Sequence, residues 1–190
     1  MSPPSTHWVR DPKAIECLSS PTRQRILDRL EALGPSSVAE LSASLQLPAD
    51  GLYYHMRLLT RRGLIVERER RPTNGPPETL FELVAKRWHI HYEPNNKRNA
   101  EAVRKLTGSL LRQASRDFEQ GLTHPNTTTD GPRRNLWSLR LEAKLNGEEV
   151  RELNGHLRAI VELLRRPRAN TEGQLCALSW VLAPLTDKTG

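Results

Sequence analysis

Apolar residues in the first half of the chain recur every three or four positions, which is the spacing of one face of an α-helix. The pattern predicts four helices, at residues 12–19, 21–33, 38–45 and 49–62. Pro21 is placed to open the second helix, and Gly34 with Pro35 ends it. Ser37 and Glu40 have the spacing of a capping box that starts the third helix. Pro48 lies in a tight break between the last two helices.

Two stretches of β character follow these helices. Residues 64–70 and 79–84 are rich in branched and alternating residues, and the turn-forming stretch 71–77 lies between them. This pattern predicts a β-hairpin with a seven-residue tip. Several helices followed by such a hairpin are the element order of a winged helix. Residues 1–10, with two prolines and few apolar anchors, are expected to form a loose arm, and residues 88–96 a connector.

The second half predicts further helices separated by polar loops. Helical periodicity covers residues 97–122 and about 147–166, and a capping-box spacing at residues 171–174 predicts a last helix to about residue 183. Trp137, Leu139 and Leu141 alternate with polar residues, which predicts a short strand. Trp137 and Trp180 are interpreted as core residues, with an effector pocket as the alternative. The apolar stripe of 97–122 is expected to be buried against a second copy of the chain.

Composition and charge narrow the class of protein. Among 190 residues, 36% are apolar, which is a low share for a monomeric core. The formal net charge is +7, and a basic chain favours anionic partners such as nucleic acid. Residues 95–190 carry more of this charge than residues 1–94. A local cluster at residues 57–71 nevertheless holds six arginines and two glutamates. Ordinary surface ion pairs are the alternative interpretation of that cluster.

Several classes of protein are not indicated by the sequence. Cys17 and Cys176 form no disulfide or metal-binding pattern, and both are expected to be buried, in a protein of the reducing cytoplasm. Residues 1–13 lack the apolar stretch of a secretory signal, and no apolar run is long enough to span a bilayer. No motif of a hydrolase, phosphate-binding loop or metalloprotease is present, so an enzyme is not expected. No cofactor is predicted, and a small-molecule effector of unknown identity stays open.

The break at residues 46–48 separates two short helices in the manner of a DNA reader. The first helix of such a pair braces the second, which enters the major groove of DNA. Base edges require donors and acceptors, and phosphates require positive charge, so the outward face of residues 49–62 is the predicted contact surface. Leu52, Met56 and Leu59 are expected to face inward. The predicted DNA-binding residues are Ser37, Asp50, Tyr53, Tyr54, His55, Arg57, Arg61, Arg62, Arg68, Arg70, Arg71 and Asn74.

Three consecutive segments resemble the signature segments of ArsR-type winged-helix transcriptional regulators. They are SPTRQRILDRL at 20–30, SSVAELSASLQL at 36–47 and LYYHMRLLTRRGLIV at 52–66. The resemblance implies a homodimer that binds operator DNA, usually as a repressor, with Tyr53, Tyr54, His55 and Arg57 toward the DNA. Metal-sensing members carry cysteines at the start of the third helix, where this chain has Ser37, Val38 and Ala39. The resemblance therefore implies the type that senses no metal through thiolates.

The predicted fold class is mainly α with a small β-hairpin wing. Residues 1–94 form the winged helix-turn-helix DNA-binding domain, and residues 95–190 form a helical region for dimerisation and effector sensing. The wing is placed at about residues 67–78. Two other functions stay open, namely a winged helix that contacts only proteins and a ligand-binding protein that does not bind DNA.

Individual residues also have alternative interpretations. Tyr53 and Tyr54 are alternatively packing residues. His89 and His91, with Glu93, alternate on one side of an extended segment and are the only weak candidates for metal ligands.

Overall fold

Four helices and a β-hairpin follow one another in the first half of the chain, in the predicted order. The structure is a computed structural model that describes residues 7–72, 77–85, 88–166 and 174–186. The predicted hairpin tip around Asn74 lies outside the described residues. In chain order, the elements of this half are β1 (His7–Val9), α1 (Pro12–Cys17), α2 (Pro21–Leu33), β2 (Ser36–Ser37), α3 (Val38–Leu45), α4 (Ala49–Arg61), β3 (Ile65–Arg71), β4 (Glu78–Leu83) and β5 (Trp88–Ile90).

Side-chain caps and turns set the limits of the helices. At the start of α3, the Ser37 hydroxyl accepts a hydrogen bond from the Glu40 amide at 3.2 Å, and the Glu40 carboxylate accepts one from the Ser37 amide at 2.8 Å. This reciprocal pair is the predicted capping box. Gln46 then adopts a left-handed conformation with φ 54°, which turns the chain sharply between α3 and α4. At the end of α4, Gly63 has φ 63°, a conformation that favours glycine.

A three-stranded sheet forms the wing side of this half. Its strand order is β2-β4-β3, and all pairs are antiparallel. The register pairs Ile65 with Leu83 near the core and Arg71 with Glu78 near the tip, with an irregularity between Glu67 and Arg70. The hairpin prediction is thus confirmed, while β2 is a strand that the sequence pattern did not indicate, because two residues are too short to show a period.

The N-terminal arm is not loose as expected, at least from His7 onward. Strand β1 pairs in parallel with β5, so residues 88–90 of the predicted connector at 88–96 form a strand instead. Val9 is 2% exposed and anchors β1 in the core. Strands of three residues carry too little alternation to be recognised in a sequence, which explains both errors.

The core of the first half is formed where α1 to α4 meet the sheet. The largest apolar side chains that are almost fully buried there are Ile15, Ile26, Leu41, Leu52, Met56, Leu59, Leu64 and Ile65. Leu52, Met56 and Leu59 are the residues of α4 that the sequence predicted to face inward, so the apolar periodicity of that helix identifies its core face.

Helix α5 (Lys97–Thr123) confirms the helix predicted at 97–122, but its apolar stripe is covered differently. Ala102 is buried, and Val103 and Leu106 pack against the core of the first half. The expectation that a second copy covers this part of the stripe is therefore wrong. Asn99 fixes the start of the helix from inside, since its buried amide accepts from the Glu93 amide at 2.8 Å and donates to the His91 carbonyl at 2.9 Å.

Residue contacts divide the chain into two units, Met1–Ser115 and Arg116–Gly190. The division falls within α5, whereas the functional division at residues 94 and 95 stays a prediction. In the second unit, α6 (Gly147–Leu164) confirms the helix predicted there and begins with a capping box between Asn146 and Glu149.

Two other predictions for the second unit are wrong. Residues 136–146 form no strand, because none of the described residues provides a pairing partner, and residues 174–186 form no helix. Nearly every residue from 175 to 185 is apolar, so no helix there would have a polar face. Trp137 and Trp180 are 61% and 40% exposed, so they are neither core residues nor the lining of an enclosed pocket.

The second unit has no core of its own within the described residues. None of the residues 116–166 and 174–186 is buried. Cys176, expected to be buried, is exposed, whereas Cys17 is buried as predicted. Over the described part of the chain, no helix combines the length and the hydropathy needed to cross a membrane.

The capping box of α3 gives the first testable prediction. Ser37→Ala removes the hydroxyl that accepts from the Glu40 amide, and loss of such a cap costs about 0.5–2 kcal/mol of unfolding free energy. We expect a lower urea midpoint at an unchanged urea m-value. Ser44→Ala, within the same helix, is the matched control and should change the unfolding free energy by less than about 0.5 kcal/mol. Equal effects of both variants would contradict the capping role.

Candidate nucleic-acid interface

Helix α4 presents opposite faces to the core and to solvent. Leu52, Met56 and Leu59 are at most 1% exposed, as predicted for the inward face. Tyr53 and Tyr54 are 53% and 57% exposed, so the alternative interpretation of both tyrosines as packing residues is wrong. The helix is therefore oriented as a reading helix requires, with long polar side chains on its accessible side.

A groove of about 650 Å³ runs between α4 and the hairpin. We call it the α4–wing groove. Tyr53, Arg57 and Arg61 stand along one wall at intervals of four residues, which places them on a single stripe of the helix. The opposite wall comes from the hairpin and the start of α3. The other lining residues are Ser37, Val38, Ala39, Met56, Thr60, Glu67, Pro77, Glu78, Thr79 and Phe81.

Three exposed arginines are available for an anionic partner. Arg57, Arg61 and Arg70 are exposed, and no ion pair joins any of them to a described residue. Arg57 and Arg61 stand four residues apart on α4, where like charges repel and slightly destabilise a helix. A pair of cations kept in this position is typical of a surface that meets negative charge.

Two other arginines of the cluster hold the hairpin in place. Arg71 donates to Glu40 of α3 at 2.8 Å and to Glu78 of β4 at 3.2 Å. Its hydrogen bonds with these two carboxylates raise the pKa of the Arg71 guanidinium. Arg68 forms an ion pair with Glu82 across the hairpin. The alternative interpretation of the cluster as surface ion pairs thus applies to Arg68 and Arg71.

Glu40 connects the hairpin to the helix-turn-helix. The pKa of its carboxyl is lowered, first by the hydrogen bond from the Ser37 amide and then by that from Arg71. The same carboxylate therefore caps α3 and binds the wing. Because the folded state depresses this pKa, the contribution to stability is present above about pH 4.5 and is lost as the pH falls through the lowered pKa.

His55 lies at the boundary between the two faces of α4. Its ring is half-buried, and its Nδ1 atom is buried without a hydrogen-bond partner among the described residues. Burial lowers the pKa of His55, and the nearby charge of Arg23 lowers it further. The imidazole is thus neutral at neutral pH. The Tyr54 ring meets it edge to face, with centroids 5.5 Å apart.

The remaining predicted site residues are placed in different environments. Asp50 is exposed in the first turn of α4. Ser37 is 1% exposed, and its hydroxyl is occupied in the capping box, so it lines the groove without an accessible hydroxyl. Arg62 is half-buried and lies near α1, where the pKa of Glu16 is lowered by its hydrogen bond with Lys105, by the charge of Lys105 and also by Arg62. Asn74 lies outside the described residues.

Sequence reasoning missed part of the groove wall. Ala39, Thr60 and Thr79 line the groove, and Glu40 supports it through Arg71. The capping-box spacing had indicated Glu40 as a helix-start residue. No local signal connects it to Arg71, which is 31 positions away.

The candidate metal ligands His89, His91 and Glu93 contact an aromatic ring or one another. His89 stacks on Trp8 with ring centroids 4.8 Å apart, and His91 lies 3.4 Å from a Glu93 carboxylate oxygen. Within the ranges that the structure describes, no group of three or more His, Cys, Asp or Glu side chains is gathered as a metal site.

Comparison with known proteins places α4 in a recognised domain. Residues 18–68 match the family described as "Helix-turn-helix domain". The matched segment extends from the end of α1 into β3 and includes all of α4. Residues 18–68 form a helix-turn-helix domain. With the hairpin, it is a winged helix-turn-helix domain, followed in the chain by a largely helical region, as the predicted fold class states.

Solved structures with similarity to the chain come from several organisms. Reduced HlyU from Vibrio cholerae N16961 is 24% identical, covers 47% of this chain and 81% of its own, and has a TM-score of 0.32. The transcriptional regulator homologue protein from Pyrococcus horikoshii OT3 is 23% identical, with 57% and 89% covered and a TM-score of 0.33. RV1404 from Mycobacterium tuberculosis is 19% identical, with 83% and 86% covered and a TM-score of 0.32. No curated protein matches the sequence.

The environment of His55 predicts a specific pH dependence of stability. Because the pKa of His55 is lower in the fold than its ordinary value of 6.5, the unfolded chain takes up the proton more readily. Stability contributed by the neutral ring is therefore complete above about pH 6.5 and falls as the pH drops toward the folded pKa. We expect His55→Gln to reduce the loss of unfolding free energy between about pH 7.5 and about pH 5, measured by urea titration.

The control for this experiment is His124→Gln, which alters an exposed histidine outside the helix-turn-helix domain. That variant should lose as much stability on acidification as the unaltered chain. If His55→Gln also keeps the full loss, the lowered pKa does not couple to folding.

Proposed function

We propose that this protein is a sequence-specific DNA-binding transcriptional regulator of the cytoplasm, a repressor that acts as a homodimer and not as an enzyme. The observation that carries the proposal is the outward stripe of α4, in which exposed Tyr53, Arg57 and Arg61 line a groove beside the wing of a helix-turn-helix domain. In the proposed complex, residues 49–62 enter the major groove of double-stranded DNA.

The chemistry of this stripe suits the edges of base pairs and the phosphates beside them. An arginine offers donors in a fixed fork that matches the two acceptors of guanine in the major groove. A tyrosine hydroxyl both donates and accepts, and its ring stacks against sugars or bases. Neither Arg57 nor Arg61 forms an ion pair with a described carboxylate. Contact with DNA therefore need not break an ion pair within the described part of the protein.

In this proposal, the main role of the wing is its fixed position beside α4, and its positive charge is secondary. Arg71, through Glu40, connects the hairpin to the helix that braces α4, so the wing and the reading helix approach DNA with a defined spacing. Arg70 remains as the exposed cation of β3 that meets the adjacent backbone or minor groove. The carboxylates of Glu67 and Glu78 line the groove as well, and they disfavour phosphate in its interior.

The dimer and the repressor role rest on other grounds. The resemblance of residues 20–66 to ArsR-type regulators implies both. A two-fold dimer presents two copies of α4, which read two half-sites about one helical turn apart. A repressor of this kind competes for its operator through the population of a DNA-binding state, and any effector acts by preferring another state.

The proposal is tested by binding to a fluorescent pool of random-sequence duplex DNA. Each released counterion contributes to the salt dependence of binding, so loss of one phosphate contact lowers the slope of log affinity against log salt by roughly one unit. We expect Arg57→Ala and Arg61→Ala each to weaken binding and to lower this slope. Fluorescence anisotropy over a range of salt concentrations measures both quantities.

Arg104→Ala serves as the matched control, because Arg104 is an exposed arginine of α5 that lines a different groove. It should leave affinity and slope unchanged. If the unaltered chain does not bind the duplex pool, or binds it with an affinity that does not depend on salt, the proposed function is contradicted. Variants of Arg57 and Arg61 that bind as the Arg104 variant does would also contradict it.

A further inference from the structure

The C-terminal unit carries a stretch of chain that runs without a helix, turn or bend and has no strand beside it among the described residues. We call residues 136–145 the Leu141 segment. It contains no helix, turn or bend, and residues 137–143 form no backbone–backbone hydrogen bond with any other described residue. Arg140 and Glu142 form an ion pair. Contact between side chains two positions apart is the geometry of an extended strand, whose alternate residues share a face.

The two faces of this segment are chemically distinct. Trp137, Leu139 and Leu141 are 61%, 70% and 79% exposed, and alternation along an extended chain places them on the face opposite Arg140 and Glu142. An extended segment with an apolar face and unpaired backbone groups is a template for pairing with another strand.

We propose that the Leu141 segment pairs antiparallel with the same segment of a second copy of this chain, about a two-fold axis at Leu141. The inference rests on the proposed dimeric regulator and specifies its interface. In this register, Leu141 meets the partner's Leu141, and Trp137 meets the partner's Leu145. Arg140 then lies opposite the partner's Glu142, and Glu142 lies opposite the partner's Arg140.

This register is self-complementary in charge as well as in hydropathy. Opposite charges that face each other across neighbouring strands stabilise a sheet, and like charges destabilise it. Two such pairs form at once, because the two-fold axis repeats each contact. A sequence that places a positive and a negative residue symmetrically about one apolar residue fits its own copy better than a partner of unrelated sequence.

The exposed apolar surface of the unit is of the order that a stable dimer buries. Among the described residues from Leu122 to Leu185, fourteen large apolar side chains are more than a third exposed. At on the order of 50 Å² each, about half of a buried aliphatic side chain, they present on the order of 700 Å² per chain. A stable interface buries roughly 800 Å² per partner. Since the unit has no buried residue among those described, a permanent partner supplies the core that it lacks.

Charge exchange in the full-length chain tests the pairing. Arg140→Glu places carboxylates at both positions of the register, and Glu142→Arg places guanidiniums at both. Each variant alone therefore faces like charges across the axis, and self-association should weaken roughly tenfold for the two altered pairs. In an equal mixture of the two variants, every cross-strand pair becomes attractive, so a dimer between them should form with the affinity of the unaltered chain.

Light scattering coupled to size exclusion, at low ionic strength, measures the mass of each species. The unaltered chain should have twice the 21.6 kDa mass of one chain. A monomeric unaltered chain would overturn the proposal, as would variants that associate as tightly as the unaltered chain. A mixture that associates no more tightly than either variant alone would also overturn it.

Leu141→Glu is the second variant, because it places two carboxylates on the axis and should give a monomer. Leu33→Glu is its control. Leu33 is 54% exposed on α2 of the other unit, so this variant should leave the dimer intact.

Binding to the random duplex pool separates this proposal from the proposed function. The Leu141→Glu monomer should keep salt-dependent binding to the duplex pool. A change from dimer to monomer mass therefore tests the interface and leaves the proposed DNA binding untouched. A Leu141→Glu variant that remains a dimer contradicts the register.

Discussion

The burial of Leu52, Met56 and Leu59 is the interaction on which the account of this protein depends. A fully buried side chain of this kind contributes about 1.5–3 kcal/mol, so three of them fix α4 on the core with little rotational freedom. An α-helix is rigid about its axis, and fixing one face fixes the other. The outward direction of Tyr53, Arg57 and Arg61 is therefore a consequence of packing on the opposite side.

A series of polar contacts connects the wing to the helices. Ser37 and Glu40 start α3, and the same Glu40 carboxylate binds Arg71 of β3. Exposed ion pairs contribute little to stability by themselves. Here the carboxylate that binds Arg71 also caps α3. The ion pair therefore orients the hairpin relative to α3. The arginines of the cluster accordingly divide into those that position the wing and those that are available to a partner.

Much of the first half follows from the sequence because its signals are local. The stripe of α4, the capping box at Ser37 and the turn at residues 46–48 each depend on residues a few positions apart. The short strands β1, β2 and β5 were not predicted because two or three residues are too few to show a period. The link between Arg71 and Glu40, and the half-buried position of Arg62 near α1, depend on tertiary contacts that no local pattern contains.

The second half was less predictable for a different reason. Alternation of Trp137, Leu139 and Leu141 predicts a strand, yet a strand exists only when another strand accepts its hydrogen bonds, and none of the described residues does so. A capping-box spacing at residues 171–174 predicts a last helix to about residue 183, but the apolar run that follows it lacks the polar face of an amphipathic helix, and residues 174–186 form none. Both errors occur where the apolar surface of one chain exceeds what that chain covers by itself.

Selection of bound sequences from random duplex DNA by the full-length chain tests the central claim that α4 reads base pairs. The account predicts enrichment of two similar half-sites in inverted orientation, with centres about 10–10.5 base pairs or a multiple of that distance apart. Enrichment of no sequence over the starting pool, despite folded and soluble protein, would contradict it.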